Sequence, residues 1–265
     1  MKNLVRAEFR RLLSTRSWPV VLLLAALLGG GLVGVCALVG PENFTPPMPG
    51  LDTEDGVRAV LGFIGFTAFV PAAIGTLAVT SEYRHATVNV TFLLAPRRWQ
   101  ALAAKLITYG VAGLLYGLVL AGTAALSLFG AAAARGTRLG LPATTIVELL
   151  ARLGLAMAAY TLLGVGVGAL LRHQVAALAV VIGYLYGGEL VLVMIPGVRE
   201  IYPWLPGGAT SALTDFTAVA DALSQQLSAA PVELLSPLAG ALVLLGYAAL
   251  ASTAAVLRPM RGDVT

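Results

Sequence analysis

Residues 81–106 read SEYRHATVNVTFLLAPRRWQALAAKL and lie between two long apolar runs, at 57–80 and 101–134. This stretch is the longest densely basic segment between the first and last apolar runs of the chain. A basic segment in this position connects two membrane-crossing segments at one surface of a bilayer. We therefore expect this stretch to lie at a membrane surface, between two runs that cross the membrane.

The composition supports the same class. Hydrophobic residues make up 58% of the chain, charged residues 11%, and the mean hydropathy is +0.87, whereas soluble domains carry about 25% charged residues. A membrane-spanning helix needs about 20 apolar residues, and strands of a membrane barrel would alternate apolar and polar residues. The sequence predicts an all-α integral membrane protein with six spans, at residues 18–39, 57–80, 101–134, 146–171, 175–196 and 234–257.

The distribution of basic residues predicts the orientation of the spans. With six spans, both termini and the loops after the second and fourth spans share one side, which collects twelve of the seventeen basic residues: Lys2, Arg6, Arg10, Arg11, Arg16, Arg84, Arg97, Arg98, Lys105, Arg172, Arg258 and Arg261. We therefore expect both termini to be cytoplasmic. Contact with the anionic headgroups of the lipid bilayer accounts for the net charge of +4, and no nucleic acid is needed to explain it.

Two further stretches near the first two spans carry local predictions. Residues 1–17 place Arg6, Arg10 and Arg11 away from an apolar helical side, which predicts a helix lying along the membrane interface. The alternative is a basic segment that only sets topology. In the second span, Pro71 removes a backbone hydrogen bond and predicts a bend, either as a hinge or as a tolerated membrane proline.

The fifth predicted span carries an acid inside an apolar run. Glu189 lies in the sequence GYLYGGELVLVMIP, with Tyr186 three residues before it. A charge at the centre of a membrane helix is costly, so such a residue usually faces a cavity or a partner. We interpret Glu189, with Tyr186 as its neighbour, as a candidate lining of a substrate pathway. The alternative places Glu189 near the outer interface, within reach of water.

The central stretch resembles the cytoplasmic coupling segment of the ABC type-2 exporter permease family. In that family an acidic residue, a nearby basic residue, Gly-Thr, a variable apolar stretch, Pro, Arg and a Lys at the next span follow one another. This chain supplies them in the order Glu82, Arg84, Thr87, Pro96, Arg98 and Lys105, with Ala86 in place of the glycine. The similarity covers about 25 residues in motif and most of the chain in layout.

The resemblance implies a single permease domain over residues 1–265 with four functional parts. These are an interfacial helix at 1–17, a coupling segment at 81–100 that contains a coupling helix, an external gate-like segment with re-entrant or interfacial helices at 197–233, and a last span with a cytoplasmic tail at 234–265. Locally, however, residues 87–92 alternate apolar and polar, which favours a strand.

The resemblance also implies partners and a location. The coupling residues would dock against a separate ATP-binding cassette ATPase subunit, which would hold the ATP and Mg²⁺, while this chain would carry no cofactor. A second permease copy, identical or related, would complete the transporter in the cytoplasmic (inner) membrane of a prokaryote.

Other functional classes find less support in the sequence. There is no G-x-x-x-x-G-K-[ST] phosphate loop, and we expect no catalytic residues. We also expect no metal site, because His85 and His173 are the only histidines and lie far apart in sequence. Two alternatives remain, a secondary ion-coupled transporter built from inverted repeats and a non-transport membrane scaffold subunit.

Overall fold

The computed structural model describes residues 1–15, 17–45, 47–85, 98–195, 199–216 and 233–257. Within these ranges every regular element is helical, as predicted for an all-α protein. The α-helices are α1 (Lys2–Ser14), α2 (Ser17–Ala26), α3 (Val33–Val39), α4 (Glu54–Gly62), α5 (Phe69–Arg84), α6 (Arg98–Arg135), α7 (Ala143–Leu171), α8 (Gln174–Gly183), α9 (Glu189–Val193), α10 (Pro206–Thr214) and α11 (Pro237–Leu257). Two π-helical turns join α2 to α3 (Leu27–Leu32) and α8 to α9 (Tyr184–Gly188), and 3-10 turns lie at Pro41–Asn43, Phe63–Ala68 and Arg199–Trp204.

Five helical stretches in the described part of the chain are long and apolar enough to cross a membrane. They are Ser17–Val39, Glu54–Arg84, Trp99–Arg135, Ala143–Leu171 and Pro237–Leu257, and they correspond to the first four predicted spans and the last. The predicted fifth span, residues 175–196, is instead a shorter apolar helix, Gln174–Gly188, followed by α9. The architecture is that of a multi-pass helical membrane protein, and the sixth span and the cytoplasmic side of the termini stay predictions.

Helix α7 forms the centre of the bundle. Of its most apolar window, 72% is buried inside the protein, against 28% for the first and last spanning helices, because α7 packs against α5, α6 and α11. Small residues permit these close contacts, as is common between membrane helices. A Cβ atom on Gly117 of α6, for example, would lie 2.8 Å from the Cα atom of Gly154 on α7.

In the second span, the helix is irregular before Pro71, where the sequence predicts a bend, and not at Pro71 itself. The 3-10 turn Phe63–Ala68 leads directly into α5, and Pro71 is the third residue of that helix. In the first turn of a helix the missing N–H of a proline costs little, since those N–H groups have no partner within the helix. The departure from regular α-helix therefore occurs in the turn before Pro71.

The two ends of the bundle differ in character. At one end, here called the basic end, α1 lies beside the last turn of α5 and the first turns of α6. At the opposite end, called the α10 end, α10 packs on α11 and α7, with Gly240 of α11 beside the carbonyl oxygen of Ala209. The helix α1 itself forms where the interfacial helix is predicted and buries Leu12.

We expect Gly117→Ala to lower the free energy of unfolding by about 1–3 kcal/mol, because the added methyl group forces α6 and α7 apart. The matched control is Gly122→Ala on the same helix, where an added Cβ has no neighbour within 4 Å. It should not lower stability, because alanine favours a helix over glycine by about 1 kcal/mol. Denaturant unfolding of the purified protein in detergent measures both. Equal stability of the two variants would contradict the close packing at Gly117.

Candidate functional site

Four charged side chains from three helices meet at the basic end and form what we call the charge cluster: Glu8, Arg11, Glu82 and Lys105. Glu8 and Arg11 lie one turn apart on α1, a spacing that places both on one face. Glu82 lies in the last turn of α5, and Lys105 lies two turns into α6. The cluster therefore joins the N-terminal helix to both helices that flank residues 86–97.

Lys105 is the centre of this cluster. Its Nζ atom lies 2.6 Å from Oε1 of Glu82 and 3.0 and 3.1 Å from the two carboxylate oxygens of Glu8. The guanidinium of Arg11 donates a hydrogen bond to the same Oε1 of Glu82. Two acids and two bases thus form a network with no net charge.

The cluster is buried. Lys105 is 3% exposed and Glu82 is 2% exposed, while Arg11 lies at the rim. Taking single charges out of water costs several kcal/mol each, and only partners with good geometry offset that cost. The close approach of Glu82 and Glu8 to Lys105 is therefore what allows a lysine to lie inside this end of the bundle.

The structure brings together some of the sequence-predicted residues and leaves others apart. The predicted coupling residues Glu82 and Lys105 meet each other and the predicted interfacial residue Arg11, whereas Arg6 and Arg10 are exposed on α1. Glu8 was not among the predicted residues. The Glu8/Arg11 spacing on α1 was the signal available for it, but only the fold shows that Lys105, 97 positions later, is its partner.

The remaining predicted coupling residues are Arg84, Thr87, Pro96 and Arg98. Arg84 donates a hydrogen bond of 3.3 Å to Gln174 at the start of α8, so the end of α5 also contacts the short apolar helix. Arg98 begins α6. Thr87 and Pro96 lie outside the described residues, as does the predicted coupling helix with the alternating stretch 87–92.

The two histidines at which we expect no metal site, His85 and His173, both lie at the basic end. His173 caps α8, because its Nδ1 atom accepts a hydrogen bond of 3.2 Å from the Ala176 N–H. Among the described residues, no group of three or more His, Cys, Asp or Glu side chains is arranged to hold a metal ion.

At the other end, Glu189 holds the N-terminus of α10. Its two carboxylate oxygens accept hydrogen bonds from the backbone N–H groups of Gly207, at 2.9 Å, and Gly208, at 3.0 Å. An anion at this position is favoured by the unpaired N–H groups and the dipole of the helix. Glu189, buried at 6% exposure, therefore acts as a helix cap contributed from 18 residues upstream.

Other contacts fix the rest of α10. The hydroxyl group of Tyr160 on α7 donates a hydrogen bond of 3.2 Å to the carbonyl oxygen of Pro206 and lies 2.8 Å from the Thr210 hydroxyl. Beyond the C-terminus of α10, Asp215 forms an ion pair with Arg58 of α4. The ring of Phe216 fills the space beside Gly62. The helix is thus held at both ends.

A cavity of about 160 Å³ lies beside α10. We call it the α10 cavity, and its wall consists of Gly62, Gly65, Phe66, Ala68, Phe69, Tyr160, Leu185, Tyr186, Glu189, Tyr202, Gly207, Thr210, Ser211, Thr214 and Phe216. Both predicted pathway residues, Glu189 and Tyr186, belong to this wall. The Tyr186 hydroxyl donates to the carbonyl oxygen of Phe66, and its ring meets that of Phe69 edge-on, with centroids 5.7 Å apart.

The polar groups of the cavity wall are neutral apart from Glu189. The Tyr202 hydroxyl lies 3.3 Å from that of Ser211, and burial raises the pKa of Tyr202 above its ordinary value. Its hydroxyl therefore keeps its proton at neutral pH. The arrangement is a mainly apolar, aromatic chamber with one carboxylate, which is the usual composition of a small-molecule binding site.

The chain matches no protein-family model, and no curated protein matches it. Its own residues and their geometry are therefore the basis for assigning a function.

We expect Lys105→Met to lower the free energy of unfolding by about 3–5 kcal/mol, because it leaves two acids without their central cation. Lys2, the other lysine of the chain, is exposed on α1, and Lys2→Met should change stability by less than about 0.5 kcal/mol. Denaturant unfolding measures both.

A double variant tests the pairing inside the charge cluster. Adding Glu82→Gln to Lys105→Met removes one of the two acids that lost their contact with Lys105. The loss of stability in the double variant should therefore be smaller than the sum of the losses in the two single variants, by an interaction energy of about 0.5–3 kcal/mol. Strict additivity would show that the two side chains do not interact.

We expect Glu189→Ala to speed amide hydrogen exchange at the start of α10, because Gly207 and Gly208 lose their acceptors. Loss of a helix cap costs about 0.5–2 kcal/mol, which corresponds to about 2- to 30-fold faster exchange. Mass spectrometry of peptides covering residues 205–214 measures it. Glu200→Ala, at an exposed acid of the preceding turn, is the control, and equal exchange in both variants would exclude the cap.

Proposed function

We propose that this chain is the membrane-spanning permease subunit of an ABC exporter, in which a separate ATP-binding cassette subunit hydrolyses ATP. The chain would form the substrate pathway together with a second permease copy, in the cytoplasmic (inner) membrane of a prokaryote. Residues 82–105 would contact the ATPase. The resemblance of Glu82, Arg84, Thr87, Pro96, Arg98 and Lys105 to the coupling motif of that family supports the proposal.

The observation that carries the proposal is the buried charge cluster. The first and last residues of the motif, Glu82 and Lys105, contact each other at 2.6 Å and so close the base of the segment between α5 and α6. A partner that pushes on this segment would move α5 and α6 as a unit. Because Glu8 and Arg11 belong to the same network, α1 would move with them.

The proposal assigns distinct roles to the two ends. The basic end would receive the movement of the ATPase, and the α10 end, with its cavity and its helix held by Glu189, would form the gate-like part of the pathway. Helix α5 connects them, since Phe69 lines the cavity and Glu82 belongs to the charge cluster.

A second candidate, a secondary transporter, is favoured by one feature. Two of the helical stretches beside the α10 cavity are interrupted there, one by the 3-10 turn Phe63–Ala68 and the other by the π-helical turn Tyr184–Gly188. Secondary transporters often place their substrate site between interrupted helices of this kind. Uptake or efflux that stops with a proton uncoupler and survives ATP depletion would favour this candidate.

We expect an ATPase to copurify with the affinity-tagged full chain extracted in mild detergent from its native membrane, measured as ATP hydrolysis in the eluate. Arg84→Glu should reduce the bound ATPase at least about tenfold, because it reverses a charge on the exposed docking surface. Arg138→Glu makes the same change at an exposed site of the α10 end and should leave binding unchanged. An eluate without ATP hydrolysis, or equal loss in both variants, would contradict the proposal.

A further inference from the structure

We propose that the α10 cavity binds a small organic cation, of the size of a trimethylammonium group with a short substituent. This inference deepens the proposed function, because it names the class of substrate that the pathway would accept. The binding itself requires only this chain and is therefore testable without the ATPase.

The charge of the cavity wall excludes an anion. Glu189 is the only carboxylate among the described residues of the wall, which contain no lysine, arginine or histidine. Each carboxylate oxygen of Glu189 accepts one backbone N–H, and a carboxylate has about four acceptor positions. Arg58, the nearby base that contacts Asp215, is occupied by that acid and by Glu54. The carboxylate of Glu189 is therefore the one charged side chain that a cation meets in the described wall, and it has acceptor positions left for the ligand.

The capping role alone does not explain why an acid lies in the cavity wall. The residue at the usual capping position of α10 is Leu205, whose side chain makes no capping hydrogen bond. A serine, threonine or aspartate there would satisfy the same N–H groups locally. Instead, the chain uses a distant glutamate whose side chain also borders the cavity, which places a negative charge where a ligand would contact it.

The rings of the wall favour the same ligand class. Six aromatic side chains surround the cavity: Phe66, Phe69, Tyr160, Tyr186, Tyr202 and Phe216. The faces of such rings attract cations, and a cage of rings is the usual way in which proteins recognise quaternary ammonium groups. A weakly hydrated quaternary cation gives up little hydration on entering a chamber of this kind.

The dimensions limit the size of the ligand. A cavity of about 150 Å³ holds benzene, so the α10 cavity, at about 160 Å³, has room for a compact cation and not for a long-chain lipid. Phe66 and Tyr186 are exposed, whereas Tyr160 and Glu189 are buried. The cavity therefore leads from exposed rings at its mouth to a buried carboxylate.

The test compares cations with a neutral molecule of the same shape. Isothermal titration calorimetry on the purified full chain in detergent would use choline, tetramethylammonium and 3,3-dimethylbutan-1-ol, the uncharged analogue of choline. We expect saturable binding of at least one cation, and at least about tenfold weaker binding of the neutral alcohol. Equal binding of choline and the alcohol, or no saturable binding of either cation, would overturn the inference.

Two variants locate the binding in the cavity. Glu189→Gln keeps the shape of the side chain and should weaken cation binding at least about tenfold, whereas Glu200→Gln, outside the wall, should not change it. Phe69→Leu leaves the carboxylate in place and should weaken binding about 5- to 30-fold. Amide exchange over residues 205–214 shows whether α10 is intact in each variant, and Phe69→Leu provides the test if Glu189→Gln disturbs that helix. Unchanged affinity in Phe69→Leu with α10 intact would overturn the assignment.

The outcome is separable from that of the proposed function. Copurification of an ATPase with a chain that binds neither cation would reject the cation site alone. Cation binding by a chain that retains no ATPase would reject the exporter alone.

Discussion

The burial of Lys105 is the constraint on which the basic end depends. An ammonium group in a nearly dry environment is stable only if carboxylates surround it, and this chain supplies one from α5 and one from α1. The requirement fixes the position of α1 relative to α5 and α6 more specifically than apolar contact does, because hydrogen bonds to a charged group need particular distances and directions. A helix that would otherwise lie loosely along a membrane surface is tied to the bundle at one turn, Glu8 to Arg11.

Between the two charged ends, the bundle is held by close approach of backbones. In a membrane, moving an apolar surface from lipid into a contact between helices gains no hydrophobic free energy. Helices therefore associate through close packing of small residues. Gly75 and Gly164 illustrate this on α5 and α7, where an added Cβ would clash with carbonyl oxygens of the facing helix. The central position of α7 follows, since it presents such residues to several neighbours.

The sequence predicted the helical class and the five spanning helices of the described residues. Apolar runs of about twenty residues allow these predictions, because in lipid a helix satisfies all of its own backbone hydrogen bonds. The sequence also singled out Glu189 as an acid inside an apolar run, and the family resemblance singled out Glu82 and Lys105. It did not predict their partners. Glu8 lies 97 positions before Lys105, and no residue pattern links the two. The N–H groups that Glu189 caps are backbone atoms, which carry no sequence signal. The 3-10 and π-helical turns could not be predicted from apolar periodicity either, because each is six residues or fewer and too short to show a period of its own.

The two charged sites belong to one mechanical unit, because α5 reaches both. Its 16 residues extend about 24 Å as a straight α-helix, with Phe69 in the cavity wall at one end and Glu82 in the charge cluster at the other. A continuous helix bends little under load, whereas the 3-10 turn Phe63–Ala68 that precedes it has weaker hydrogen-bond geometry. A displacement of the basic end would be carried along α5 toward the aromatic wall of the cavity, and the 3-10 turn beyond it would be the more deformable part. In the proposed exporter, movement of α5 would therefore shift the ring of Phe69, which a bound cation would contact in the cavity wall.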